Sequence, residues 1–276
     1  MKVLFINPSV GYYTRALSNP LGLLSIATHI KNNGHEVKLE DRCVHKVNIN
    51  KLLDSFKPDI VGVSLMSSRG LIDAEKISKA ARAKGIPVVW GGQMPSLQME
   101  QVLDLDLVDY ISYGEGEETW LEMARNYDVG LSFDDIRGLA FVKNGEYIET
   151  EKRELMELSV LPKLDWNLIN PCDYFQTGYG CKNQVHIYYS KGCIGNCSFC
   201  YNNQYNCSVR RQRPLDYVIE EMRLLAEKYG ADGFEFTDDL MFSNRAQMLE
   251  FCTKIIHKRE GECPSATVQP HPAKYF

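Results

Sequence analysis

Five short, nearly unbroken apolar runs, each followed by a helical pattern, fill the first 130 residues and leave this chain few ways to fold. The runs Val3–Asn7, Glu36–Glu40, Ile60–Leu65, Pro87–Trp90 and Tyr110–Tyr113 read as strands. Between and after them, Leu21–Asn32, Ile49–Phe56, Leu71–Lys84, Pro95–Val102 and Glu117–Asn126 read as helices. Strands that are apolar on both faces must bury both faces. That predicts an α/β domain over residues 1–130, a doubly wound parallel sheet with helices on either side. In such sheets ligands bind beyond the carboxyl ends of the strands. Here that edge carries Asn7-Pro8-Ser9, Ser64-Leu65-Met66-Ser67-Ser68, Gly91-Gly92-Gln93 and Gly114-Glu115-Gly116-Glu117. Glycines directly after a strand let the backbone approach a large planar or phosphate-bearing ligand closely, although Gly91-Gly92 reads equally as a tight turn.

Composition excludes several classes. With 44% hydrophobic and 24% charged residues, the balance is that of a soluble globular protein. A net charge of −5 argues against a nucleic-acid backbone as partner. No apolar run is long enough to cross a bilayer. The opening apolar stretch stops at once at the turn signal Asn7-Pro8, so it reads as a buried strand and not as a signal segment. A cytoplasmic protein is expected. Its nine cysteines, without a secretory signal, do not read as a disulfide framework.

Residues 131–180 lose the alternating rhythm and read as a connector. Within it, Gly138–Glu149 is a hairpin with an Asn144-Gly145 turn. Residues 181–276 begin a second domain. A strand, Val185–Ser190, runs into Cys193-Ile-Gly-Asn-Cys197-Ser-Phe-Cys200-Tyr201, three cysteines in a Cys-x3-Cys-x2-Cys spacing with Gly192 and Gly195 to let the loop turn tightly. Thiolates suit iron–sulfur clusters, and three of them leave one iron of a [4Fe–4S] cluster open to a chelating ligand. A structural zinc site is the alternative, with Cys207 or His186 as a fourth ligand. Downstream come helix Leu215–Tyr229, a strand from Gly233 ending in Asp238-Asp239, helix Ser243–His257 and a strand Ala266–Gln269. This is the strand–loop–helix repetition of a βα barrel, with functional groups at the strand ends. Arg210, Arg211 and Arg213 read as a solvated basic patch, and Asp239 or Ser243 reads equally as a helix cap.

These features together resemble the B12-binding-domain-containing radical SAM enzymes, a family that includes cobalamin-dependent methyltransferases and the anaerobic magnesium-protoporphyrin monomethyl ester cyclase. The resemblance rests most specifically on the cysteine motif. It rests also on Pro20–Val37, on the spacing of Ser64-x-Leu and Gly91-Gly92, and on Val108–Glu117. It implies a Rossmann-like cobalamin-binding domain followed by a partial barrel. Three cofactors follow: cobalamin, a [4Fe–4S] cluster on Cys193, Cys197 and Cys200, and S-adenosylmethionine. Cobalamin contacts are implied for Asn7, Pro8, Asn19, Ser64, Leu65, Met66, Ser67, Gly91, Gly92, Gln93, Gly114 and Glu115. S-adenosylmethionine contacts are implied for Phe199, Tyr201, Asp238 and Asp239. Asn19 stands where cobalamin-dependent methyltransferases of the methionine-synthase kind place a cobalt-ligating histidine; an amide is a poor cobalt ligand, and such an absence is common in the radical SAM branch that this chain resembles. The implied activity is reductive cleavage of S-adenosylmethionine that starts methyl transfer, oxidation or cyclisation. Its partners would be a small-molecule substrate and an external electron donor of flavodoxin or ferredoxin type. A vestigial first domain and a non-catalytic cobalamin- or metal-binding fragment remain open as alternatives.

An eight-unit barrel takes about 250 residues, so six units need roughly 190. The stretch after residue 181 holds about three by that measure. The expectation is a C-terminally truncated chain, or one completed by another chain, prone to associate through its open sheet edge.

Overall fold

The computed structural model describes residues 1–11, 18–178, 180–259 and 267–270. Cys263, one of the nine cysteines, and Ala266, the expected start of the last strand, lie outside them. The described residues form two units: 1–11, 20–155 and 165–169 in the first, and 18–19, 156–164 and the rest from 170 onward in the second.

In the first unit the chain runs β1 (Lys2–Asn7), α1 (Leu21–Asn32), β2 (Glu36–Asp41), α2 (Ile49–Phe56), β3 (Ile60–Ser64), α3 (Leu71–Arg82) and β4 (Val88–Gly91). It continues through α4 (Gln93–Leu97), α5 (Met99–Leu103), β5 (Tyr110–Ser112), α6 (Glu117–Asp128), β6 (Leu139–Lys143) and β7 (Glu146–Glu149). The sheet order is β2-β1-β3-β4-β5-β6-β7. The first five strands are mutually parallel; β1, β3 and β4 are buried on both faces, whereas β2 at the sheet edge carries Glu36, Lys38 and Glu40. The expected hairpin forms, but its strands are not free-standing. β6 pairs antiparallel with β5 through Ile111↔Ala140 and Ser112↔Leu139, and β7 adds to β6, so both continue the sheet. The segment expected as one helix, Pro95–Val102, is two, because Gln98 at φ −137° leaves the helical region between α4 and α5.

Packing follows the alternation of side chains along the strands. Leu4, Ile6, Val61, Val63, Val88 and Trp90 meet Leu52, Leu53, Ala74 and Ile77 of α2 and α3 in one cluster. On the opposite face Phe5 meets Trp120 of α6 edge-on, ring centroids 4.7 Å apart. Gly62 lies beneath that pair, where a Cβ would sit 2.6 Å from Phe5 and 2.7 Å from Trp120. Each fully buried Val, Leu, Ile or Phe contributes about 1.5–3 kcal/mol.

The second unit runs β8 (Gln176–Gly178), β9 (Cys181–Ile187), β10 (Ser190–Lys191), α7 (Asn202–Tyr205), β11 (Arg211–Gln212), α8 (Leu215–Tyr229), β12 (Gly233–Phe236), α9 (Arg245–Arg259) and β13 (Thr267–Pro270). Its main sheet has the order β13-β12-β9-β8, with β9, β12 and β13 parallel. Consecutive parallel strands joined through α8 and α9 are the opening of a βα barrel. Gly230 ends α8 at φ 79°, where its N–H bonds Ala226 O and that of Ala231 bonds Leu225 O. Among the described residues no helix is long and apolar enough to cross a membrane.

Candidate functional site

The three cysteines lie on a loop closed at its base by a small ribbon. β10 pairs antiparallel with β11 through Ser190↔Gln212 and Lys191↔Arg211. The chain leaves β10 at Gly192, with φ 81° and no room for a side chain, since a Cβ would lie 2.1 Å from Val209 O. Gly195 sits between two thiols, its Cβ position 3.4 Å from Cys193 Sγ and 3.8 Å from Cys197 Sγ, and its N–H donates to Cys193 Sγ at 3.3 Å. The Cys200 N–H bonds Cys197 O at 2.9 Å, and Asn203 Nδ2 bonds the same oxygen at 2.9 Å. Asn202 and Asn206, both buried, bond to each other at 2.6 Å and close the far side of the loop. Cys193 and Cys200 are half-buried, Cys197 is exposed, and all three are free thiols. Phe199 stands 91% exposed on the same loop. Among the described residues no three His, Cys, Asp or Glu converge to hold a single metal ion.

The paired carboxylates after β12 part company. Asp238 accepts the N–H of Tyr189 at 3.0 Å, the N–H of Ser190 and the Ser190 hydroxyl at 2.5 Å. Burial raises its carboxyl above the usual carboxylate range, against the pull of those bonds. Both oxygens are thus engaged with the β9–β10 turn, which sets Asp238 apart from a carboxylate open to a ligand. Asp239 is exposed and accepts the Tyr201 hydroxyl at 2.7 Å. Burial first, then that bond to Asp239, pushes the Tyr201 phenol up, so it stays a neutral donor.

The arginines expected in solvent are not there. Arg211 and Arg213 are 6% and 4% exposed. Arg211 bonds Met156 O at 2.5 Å, and Arg213 bonds Tyr188 O at 2.9 Å and pairs with buried Glu221. A desolvated guanidinium needs such partners, and nothing local in the sequence announces them.

In the first unit the predicted ligand edge is a network of backbone bonds. Leu65 N–H bonds Gly91 O at 2.8 Å, and Met94 N–H bonds Leu65 O at 3.1 Å. Gly92 has φ 96°, and a Cβ there would lie 2.7 Å from Leu65 O, so only glycine fits the crossing. Ser96, which the sequence did not single out, joins two of the loops: its hydroxyl donates to Gly92 O at 2.7 Å and accepts Gly114 N–H at 3.1 Å. Asn7 Nδ2 bonds Asp41 Oδ1 at 3.0 Å. Arg42 clasps Asp73 at 2.7 and 2.9 Å, and Ser9 N–H adds a third bond to that carboxylate at 2.8 Å. Burial alone would raise Asp73; these bonds hold it below the usual range. Cys43, half-buried beside Asp41, is pushed up to about 11 by burial, so it stays a thiol, and it donates to Pro8 O at 3.3 Å.

Pro8 and Leu65 are buried supports of this edge, Met66 and Ser67 are exposed upon it, and Asn7, Ser64, Gly91, Gly92, Gln93, Gly114 and Glu115 are half-buried along it. Asn19 is elsewhere. It belongs to the second unit, 3% exposed, with Nδ2 donating to His186 O of β9 at 2.9 Å and Oδ1 without a hydrogen-bond partner.

A 2-1-3-4-5 parallel sheet with crossing loops at its carboxyl edge, followed by a strand, a three-cysteine loop and further βα units, is the arrangement of a B12-binding domain joined to a radical SAM barrel. Residues 14–124 match the B12 binding domain family. The chain is 28% identical over 272 residues to an uncharacterized methyltransferase of Pyrococcus horikoshii, covering 95% of this chain and 58% of that protein. It is 25% identical over 267 residues to the anaerobic magnesium-protoporphyrin IX monomethyl ester cyclase of a Synechocystis strain, covering 93% and 53%. Its fold is shared with the radical S-adenosylmethionine methyltransferase TsrM from Kitasatospora setae, solved with cobalamin and a [4Fe-4S] cluster bound. The TM-score is 0.76 at 20% identity, covering 95% of this chain and 53% of that one. The chain carries a B12 binding domain and is similar along most of its length to these enzymes, and it spans a little over half the length of the curated relatives it matches.

Proposed function

We propose that this chain carries the cofactor-binding part of a cobalamin-dependent radical SAM enzyme. Cys193, Cys197 and Cys200 would bind three irons of a [4Fe–4S] cluster, leaving the fourth to the amino and carboxylate groups of S-adenosylmethionine. The observation that carries this reading is the loop itself. Cys193 and Cys197 flank a glycine that has no side chain to obstruct them, with its N–H already donated to Cys193, and Cys200 is a third free thiol on the same loop.

Bound there, the cluster would supply one electron to the S–C5′ bond of S-adenosylmethionine, yielding methionine and a 5′-deoxyadenosyl radical that takes a hydrogen atom from a small-molecule substrate. The chain's own residues orient and shield. Phe199 offers an exposed ring for the adenine, and the Tyr201–Asp239 pair offers a carboxylate to the methionyl ammonium. Asp238 holds the loop. In the first unit the crossing loops at Leu65, Gly92 and Gly114 present backbone to a cobalamin, with Met66 exposed above them. Asn19, an amide and so a poor cobalt ligand, would not replace the histidine of methionine-synthase-type domains. An external donor of flavodoxin or ferredoxin type would supply the electron.

The test is anaerobic reconstitution with iron, sulfide and hydroxocobalamin, followed by gel filtration and assay for 5′-deoxyadenosine under dithionite. Iron and corrinoid are expected to travel with the chain and S-adenosylmethionine to be cleaved. Corrinoid lost with iron retained would point to a vestigial first domain. A loaded cluster that cleaves nothing would point to a binding fragment.

A further inference from the structure

We infer that the segment leaving β12, Asp238–Met241, is a clamp that holds the cysteine loop in its ligating shape, with Asp238 and Arg210 as its positioning residues. The inference rests on the reading that this loop holds a cluster. The loop spans Gly192 to Arg210 and is closed by a ribbon of only two residues on each side. So short a ribbon is a weak base for a loop of that size, whose ordering has an entropic cost.

Three attachments compensate, and all reach the same segment. At the loop's entrance, Asp238 takes the N–H groups of Tyr189 and Ser190, and the Ser190 hydroxyl bonds both Asp238 Oδ1 and Leu240 O, the latter at 3.0 Å. At its exit, Arg210 donates Nε to Leu240 O at 2.7 Å and Nη2 to Met241 O, while its guanidinium lies 5.7 Å from the Tyr189 ring centroid. In the middle, Tyr201, the residue after Cys200, donates to Asp239 at 2.7 Å. Entrance, centre and exit of the loop are therefore tied to four consecutive residues of another strand's end.

Arg210 spans two successive carbonyls with a planar fork, a geometry a lysine ammonium does not reproduce. The clamp also explains why the two carboxylates behave differently: Asp238 is consumed by the entrance, and Asp239 remains at the surface. A cationic ligand at Asp239 would compete with the Tyr201 hydroxyl, and so would be felt at Cys200.

The experiment compares the wild-type chain with Arg210→Gln, Arg210→Lys and Asp238→Asn after anaerobic reconstitution. Iron retained through gel filtration, the electron paramagnetic resonance spectrum of the dithionite-reduced cluster, and helix content by circular dichroism are read together. The clamp predicts a single spectral species in wild type. It predicts a several-fold loss of retained iron and more than one species in all three variants, at unchanged helix content. Wild-type iron and spectrum in Arg210→Gln would overturn it, and so would iron loss that merely tracks loss of helix. If the wild-type chain itself retains no iron, the cluster reading fails, and the clamp falls with it.

Discussion

Replacing Gly192 by alanine isolates the physical demand of the cysteine loop. Gly192 and Gly230 have nearly the same backbone, φ 81° and φ 79°. Alanine at either position incurs left-handed strain of about 1–2 kcal/mol. Around Gly230 a Cβ meets nothing within 4 Å. At Gly192 it would meet Val209 O at 2.1 Å and Asn206 Cβ at 3.2 Å, so the backbone across the ribbon must move. Forced overpacking adds roughly 1–3 kcal/mol. Gly192→Ala is therefore expected to destabilise the loop by roughly 2–5 kcal/mol and Gly230→Ala to cost about 1–2 kcal/mol, confined to the end of α8. At about 1.4 kcal/mol per tenfold, the β10–β11 amides of Gly192→Ala should exchange roughly 30-fold faster or more. Hydrogen exchange read by mass spectrometry follows both segments, and iron content after reconstitution should fall with the first variant only. Equal exchange at the ribbon in Gly192→Ala and wild type would refute the argument that this glycine is required by a backbone crossing.

The other predictions concern the first unit. Ser96→Ala removes two hydrogen bonds that tie the Gly92 and Gly114 loops, worth about 1 kcal/mol each, so hydroxocobalamin affinity should fall roughly 30-fold. Ser96→Thr should restore it, and a titration followed in the visible band reads both; unchanged affinity in Ser96→Ala would mean that these loops do not carry the corrinoid. Asp73 is held below its ordinary range, so its contribution is complete above the unfolded value near ~3.9 and is lost as pH falls through the lower folded value. Urea unfolding read by tryptophan fluorescence should lose stability below about pH 4 in wild type and show a shallower acid slope in Asp73→Asn. Trp90, Trp120 and Trp166 all lie in the first unit, so this signal reports that unit. Parallel acid slopes in the two proteins would exclude the Arg42–Asp73 contact as the source.

What the sequence disclosed depended on the range of the interactions involved. β1 to β5 and α1, α2 and α8 lay in plain view, because near-continuous apolar runs and helical spacing are local signals. Helix α8 even begins after Pro214 and ends before Gly230, as its punctuation implies. The Asn144-Gly145 turn was equally legible, with φ 55° and 83° at the two residues. That its strands would join β5 was not, since nothing within the hairpin specifies the partner. The same limit explains Arg211 and Arg213. Charge alone reads as solvent exposure, and their burial is decided by Met156, Tyr188 and Glu221, which no local pattern links to them. The cysteines could be read from spacing, but the division of labour between Asp238 and Asp239 could not, because it depends on where the β9–β10 turn places its N–H groups.

The central claim is that Cys193, Cys197 and Cys200 hold a cluster with one iron open to S-adenosylmethionine. Electron paramagnetic resonance of the anaerobically reconstituted, dithionite-reduced chain tests it most directly, recorded before and after S-adenosylmethionine is added. The account predicts a reduced [4Fe–4S] signal whose g-values shift on addition, and its loss in a Cys197→Ala variant. A signal indifferent to S-adenosylmethionine, or a metal content of zinc in place of iron, would contradict it.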